Sequence, residues 1–157
     1  AATLTEIATQ LDQAAAASGC AIALFRAGSA PWHDDPDCLR RLAARLHTRP
    51  VHLFGSLDLW NICALIAHSR AYCGSSLHGR IAAMAFGLPR VNFIHPGQGH
   101  KQAAFARTWD AGQPGAVEAG HIAEALEFSR ATRPAARQHT ATETAMRYRQ
   151  AFAALEA

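Results

Sequence analysis

Four short apolar runs, each followed by a segment of helical periodicity, limit what this chain can fold into. They are "CAIALF" (20–25), "VHLF" (51–54), "RAYCG" (70–74) and "RVNFI" (90–94). Each is too short for a buried helix, and such short buried runs mark strands covered on both faces. Ahead of the first run, Leu4, Ile7, Ala8, Leu11, Ala14 and Ala15 recur at helical spacing, and Ser18-Gly19 supplies a stop. Asp35 before Pro36 predicts an N-cap and a helix running to about His47. Leu59, Ile62, Cys63, Ile66 and Ala67 predict another helix, and a small-residue helix over 77–86 is closed by Gly87 and Pro89. Further helices are expected near 101–108, 119–131 and 134–155, with a weak strand signal at 115–118. Such alternation predicts an α/β fold: one parallel sheet with helices on both faces. The 157 residues suffice for a single domain of this kind.

No apolar run approaches the roughly 20 residues that span a bilayer, and there is no signal-peptide pattern. A net charge of +3 is too small to point to nucleic acid. Cys20, Cys38, Cys63 and Cys73 form no CxxC pair and read as buried free thiols of a reducing cytoplasm. An α/β domain that opens on a helix has often lost a preceding strand, so the chain reads as part of a longer protein.

In a parallel sheet, ligands bind beyond the carboxyl ends of the strands. Two loops expected there carry unusual chemistry. In "CGSSLHGR", Gly74 allows a tight exit from the strand, Ser75 or Ser76 can cap the next helix, and His78 and Arg80 lie in its first turn. A helix N-terminus is already electropositive, so cationic side chains there oppose the dipole unless an anion binds. The loop "HPGQGHK" repeats the peculiarity: His95 follows a strand, and His100 and Lys101, the only lysine, open a helix. His78, His95 and His100 invite a metal reading, but neither loop has a carboxylate, and neither HExxH nor a zinc-type Cys/His spacing occurs. No metal and no cofactor is therefore expected. GxSxG is absent as well. The other histidines, His33, His47, His52, His68, His121 and His139, read as surface or element-end residues. Trp60 is expected to pack in its helix, and loop residue Trp32 to pack locally or cover a sugar ring. Arg130, Arg133, Arg137, Arg147 and Arg149 are read as a solvated helix face, with a partner-domain contact as the alternative. Ala82, Ala83 and Ala85 are read as the face on which helix 77–86 packs closely.

The stretch "LDLWNICALIAHSRAYCGSSLHGRIAAMAFGLPRVNF", with "HPGQGHKQAAFART" after it, resembles the C-terminal half of polysaccharide pyruvyl transferases over roughly residues 55 to 110. The combination of Ser-Leu-His-Gly with Gly-Leu-Pro carries the resemblance. It implies a Rossmann-like domain over residues 1–157, one half of a GT-B-type enzyme whose N-terminal half supplies much of the acceptor site. It implies transfer of pyruvate from phosphoenolpyruvate to a saccharide as a ketal, in the cytoplasm, with peripheral association to membrane-bound polysaccharide machinery. By resemblance His78 takes the catalytic donor-site role, while Ser75, Ser76, Arg80, His95, His100 and Lys101 bind substrate. Many members carry Arg where this chain has Ser76, which asks Arg80 to compensate. Two rivals stand beside this reading: a GT-B glycosyltransferase domain using a nucleotide sugar, and a non-catalytic anion-binding or assembly domain. The chain alone is expected to be inactive.

Overall fold

In the computed structural model, residues 4–28 and 35–155 are described. Trp32 and His33 lie outside the described residues. The elements follow the sequence in order: α1 (Leu4–Ser18), β1 (Ile22–Phe25), α2 (Pro36–Ala43), β2 (Val51–Phe54), α3 (Leu59–Ala67), β3 (Tyr72–Gly74) and α4 (Leu77–Ala85). Then come β4 (Arg90–Ile94), α5 (His100–Trp109), β5 (Ala116–Glu118), a 3-10 turn (Ala119–His121), α6 (Ile122–Ala131) and α7 (Pro134–Ala153). The caps explain several boundaries. Asp35 accepts from the Asp37 N–H with Pro36 at the first helical position, and Asp58 accepts from the Asn61 N–H.

Among the described residues every strand pairing is parallel: β1 with β2, β3 with β4, and β4 with β5. The single expected sheet is instead two short ones, β1-β2 and β3-β4-β5. The two nevertheless share both packing layers. On one face Leu24 of β1 and Val91 of β4 bury against Ile7 and Ala8 of α1, Leu42 of α2 and Ile122 and Leu126 of α6. On the other, Phe25 and Tyr72 pack with Ile62 and Ile66 of α3 and Ala83 of α4. Helices therefore cover both faces, the Rossmann-like arrangement that strand–helix alternation calls for.

The expected helix to His47 stops at Ala43, and a tertiary contact is the cause. The Asp12 carboxylate of α1 accepts from the backbone N–H of His47, at 3.1 and 2.9 Å, and of Thr48, at 2.8 Å. Those N–H groups are drawn away from the helical path, and the turn drops Leu46 into the core at 2% exposure. Partial burial raises the Asp12 carboxyl. The hydrogen bonds from His47 and Thr48 outweigh it and hold the group down to about 2.

Four expectations fail on packing. Trp60 is 77% exposed, beside exposed Leu57 and Leu59, because Ile62 and Ile66 turn the opposite side of α3 inward. The cysteines are free but half-buried rather than fully buried. Arg137 is not on a solvated face: it is buried, donating to the carbonyls of Gly87, Ser129 and Thr132. On α4 the close-packed residues are Gly79, Arg80, Ala83 and Met84, with Ala85 outside.

Two outcomes follow. A carboxyl with a lowered pKa stabilises the fold above its unfolded value, near 4, and loses that contribution as pH falls through the folded value. Asp12→Ala should therefore cost about 1–2 kcal/mol at pH 7, with the gap to the parent closing below about pH 4, read by urea unfolding across pH. Ala83→Leu should cost about 1–3 kcal/mol through overpacking, while Ala85→Leu leaves the denaturation midpoint unchanged.

Candidate functional site

The register pairs Gly74 with Asn92, so the turn after β3 and the loop after β4 leave the sheet at the same edge. The turn is held by its carbonyls. Asn92 Nδ2 donates to Gly74 O at 2.7 Å and to Ser76 O at 3.1 Å. Tyr72 Oη donates to Ser76 O at 3.1 Å, and Gln102 Nε2 of α5 donates to Ser75 O at 3.0 Å. Three consecutive carbonyls are thereby turned toward side chains of β3, β4 and α5. Ser76 Oγ caps α4 by accepting from the Gly79 N–H at 3.3 Å. The opening N–H groups of α4 remain directed outward, as at any helix start.

Gly79 is fixed by packing. A Cβ there would stand 2.3 Å from Tyr72 Oη, so only glycine lets α4 lie against that ring. Burial raises the Tyr72 hydroxyl above its ordinary value, which keeps it a donor to Ser76 O. Burial also pushes the Cys73 thiol up to about 12, so it stays protonated beside the turn and is no nucleophile.

Beneath the first turn of α4 lies a wholly buried ion cluster. Asp110, after α5, pairs with Arg80 of α4 and Arg90 of β4, all three at 0% exposure. Arg80 Nε lies 2.9 Å and Arg90 Nε 2.8 Å from Asp110 Oδ2. Arg80 Nη2 also donates to Pro114 O at 2.7 Å, and Arg90 Nη1 to Leu88 O at 2.7 Å. Arg80 Nη1 and Asn92 Oδ1 are buried without a hydrogen-bond partner. Burial pulls the Arg80 guanidinium below its ordinary range, opposed by Asp110 and reinforced by Arg90. Two guanidiniums against one carboxylate leave an excess positive charge under a helix start that is already positive.

The residues singled out from sequence divide accordingly. Ser75, Ser76 and His78 sit together on the turn, with Ser75 and His78 exposed. His95 is exposed just past β4, and His100 and Lys101 are exposed in the first turn of α5. Gly99, at φ 85°, caps α5 without a side-chain hydrogen bond and rests against Ile94. Gln102 joins the two loops, bringing two helix starts to one edge. Arg80 departs from the sequence expectation: its side chain is committed to the interior by Asp110 and Pro114, so it does not face a ligand in place of an Arg at Ser76. Asn92, Gln102, Arg90 and Asp110 escaped the sequence reading because each acts through a partner 16 or more positions away. Among the described residues, no group of three His, Cys, Asp or Glu is placed to hold a metal ion. Among them, no helix is long and apolar enough to cross a membrane.

The family model described as polysaccharide pyruvyl transferase matches residues 8–95, more than half of the chain. The match reaches further toward the N-terminus than residues 55 to 110 and takes in the turn and α4. It ends at His95, so His100 and Lys101 lie beyond it. No curated protein and no solved structure matches the chain.

The cluster yields one outcome. Removing the shared carboxylate leaves two buried guanidiniums uncompensated, and breaking a buried pair costs about 3–5 kcal/mol. Asp110→Ala should lose stability on that scale in chemical denaturation, whereas Glu143→Ala, which breaks the exposed pair to Arg147, should change it by less than about 1 kcal/mol.

Proposed function

We propose that this chain, which belongs to the polysaccharide pyruvyl transferase family, forms the donor-binding half of a GT-B-type enzyme that moves pyruvate from phosphoenolpyruvate to a saccharide. The observation that carries the reading is the turn at 74–78. Its carbonyls are tied back by Asn92, Tyr72 and Gln102, and its N–H groups open a helix with excess buried positive charge behind it. A small, densely negative donor suits that surface.

In this reading the donor phosphate sits on the start of α4 against Ser75 and Ser76. Lys101, with His100 and His95 on the neighbouring loop, faces the carboxylate. His78 delivers a proton to the methylene carbon, which becomes the methyl group and leaves an oxocarbenium-like centre at the adjoining carbon. One saccharide hydroxyl adds there and gives up its proton. The carbon–oxygen bond to phosphate breaks and inorganic phosphate leaves, and a second hydroxyl adds to the same carbon and gives up its proton, closing the ketal. Arg80 contributes from the interior by positioning α4. An N-terminal half supplies most of the acceptor contacts, and the reaction belongs to the cytoplasm, with peripheral association to membrane-bound polysaccharide machinery.

Calorimetry on the chain should show weak binding of phosphoenolpyruvate or phosphate and none of a nucleoside diphosphate; the reverse preference supports the nucleotide-sugar reading instead. The chain alone should not turn over. In the two-domain protein, His78→Ala should lower kcat/KM by about 100-fold or more. Lys101→Ala should chiefly raise the donor KM, since its charge acts on ground and transition states alike. Wild-type kinetics for His78→Ala, with folding checked by circular dichroism, would transfer the proton role to His95.

A further inference from the structure

The outer ladder bonds of β1 and β3 run in opposite directions. The Ile22 N–H donates to Pro50 O, beside β2, and the Tyr72 N–H donates to Pro89 O, beside β4. Backbone groups of successive strand residues alternate sides. Ala23 and Phe25 of β1 therefore present their N–H and C=O away from β2. Ala71 and Cys73 likewise present theirs away from β4. No ladder joins β1 to β3 among the described residues.

Between the two strands lies a cleft of about 1100 Å³, lined by the consecutive runs 21–25 and 70–73. Side chains alternate faces along a strand, so a cavity lined by every residue of both runs looks onto two strand edges rather than a sheet face. Its roof and floor are already built: Ala15 of α1 and Leu126 of α6 line it together with Ile66 of α3. Phe25 and Tyr72 reach across it, with ring centroids 6.4 Å apart. Neither Ile22–Phe25 nor Tyr72–Gly74 contains the charge or proline that guards a strand edge left open.

We propose that this cleft is the seat of a sixth parallel strand, an extended apolar segment of about four or five residues that precedes α1 in the chain and is linked to it by a short connection. The first turn of α1 is in the right place. Glu6 lines a small pocket with Ile94, Pro96 and Glu118, at the carboxyl ends of β4 and β5. A strand in the cleft, parallel to β1 and β3, ends at that same edge. A short connection then enters α1, and α1 leads on through Gly19 to β1. The strand order becomes β2-β1-new-β3-β4-β5, which in chain order is 3-2-1-4-5-6, the order of a doubly wound dinucleotide-type sheet. The new carboxyl end stands next to β3 and so beside the Gly74–Ser76 turn, giving the candidate site a wall. A cleft covered by helices on both faces admits a lone strand and not the helix-covered edge of a second copy.

Amide hydrogen exchange followed by NMR tests this, on the 157-residue chain and on a version extended at its N-terminus by five Val/Ile residues and a three-residue turn. The amides of Ala23, Phe25, Ala71 and Cys73 should exchange rapidly in the shorter chain and at least about 10-fold more slowly in the extended one, with a raised Tm. Ala23→Pro removes one of those amides. It should leave the shorter chain's Tm unchanged, as proline is tolerated at an open edge, and should reduce the gain from the extension. Protection of the four amides in the shorter chain at all concentrations would overturn the proposal, because β1 and β3 would then pair directly. Protection that grows with protein concentration would overturn it in favour of a second copy. Lack of protection in a folded extended chain would overturn it outright.

Discussion

The carboxylate of Asp110 is the constraint on which the rest of the C-terminal half depends. It lies just past α5 and binds Arg80 of α4 and Arg90 of β4 in a space sealed from water. A lone buried guanidinium is costly, and one carboxylate shared between two offsets that cost only with good geometry and further hydrogen bonds. Those are present at Pro114 O and Leu88 O, and the Arg90 N–H donates to Ser129 Oγ of α6 at 2.8 Å. One acidic side chain thus joins two helices, a strand and a loop. Their relative positions are set by directional contacts and not by apolar burial alone.

The candidate site inherits its order from that joint. With α4 fixed from below, the turn that starts it is clamped from the sides by Tyr72, Asn92 and Gln102. The division of labour is clear: side chains of β3, β4 and α5 hold the carbonyls, and the exposed surface is left with N–H groups, hydroxyls, imidazoles and one ammonium. Donors held in this way are aligned before any ligand arrives. Exposed Ser75 and half-buried Ser76 stand beside exposed His78, while Gly79 and Tyr72 set how closely α4 approaches the sheet.

The divided sheet places a second demand on the same region. A cleft between β1 and β3 interrupts hydrogen bonding but not packing, since both apolar layers run across it. Continuity of the two layers is what makes the fold Rossmann-like despite two separate ladders. The interruption falls next to the strand that leads into the candidate turn, so the completeness of the sheet and of the site are one structural question.

The sequence by itself determined the elements, because strand and helix signals are local. Short apolar runs, Asp35 and Asp58 as caps, and the Gly87-Leu-Pro89 stop each act within a few residues. It also singled out the two loops on which the proposed site is built, since cationic residues at a helix start conflict with the dipole wherever the helix packs. What it left open was every matter decided between distant positions. The end of α2 was moved by Asp12 of α1. Trp60 was left outside and Arg137 taken inside by the way helices dock. Arg80 looked like a ligand residue beside Ser76, yet its side chain went to Asp110, thirty positions away, because the buried face of α4 includes it. Periodicity reveals that a helix has an inner face. Only tertiary packing chooses which charged residue lies on it, and whether a carboxylate waits there to receive it.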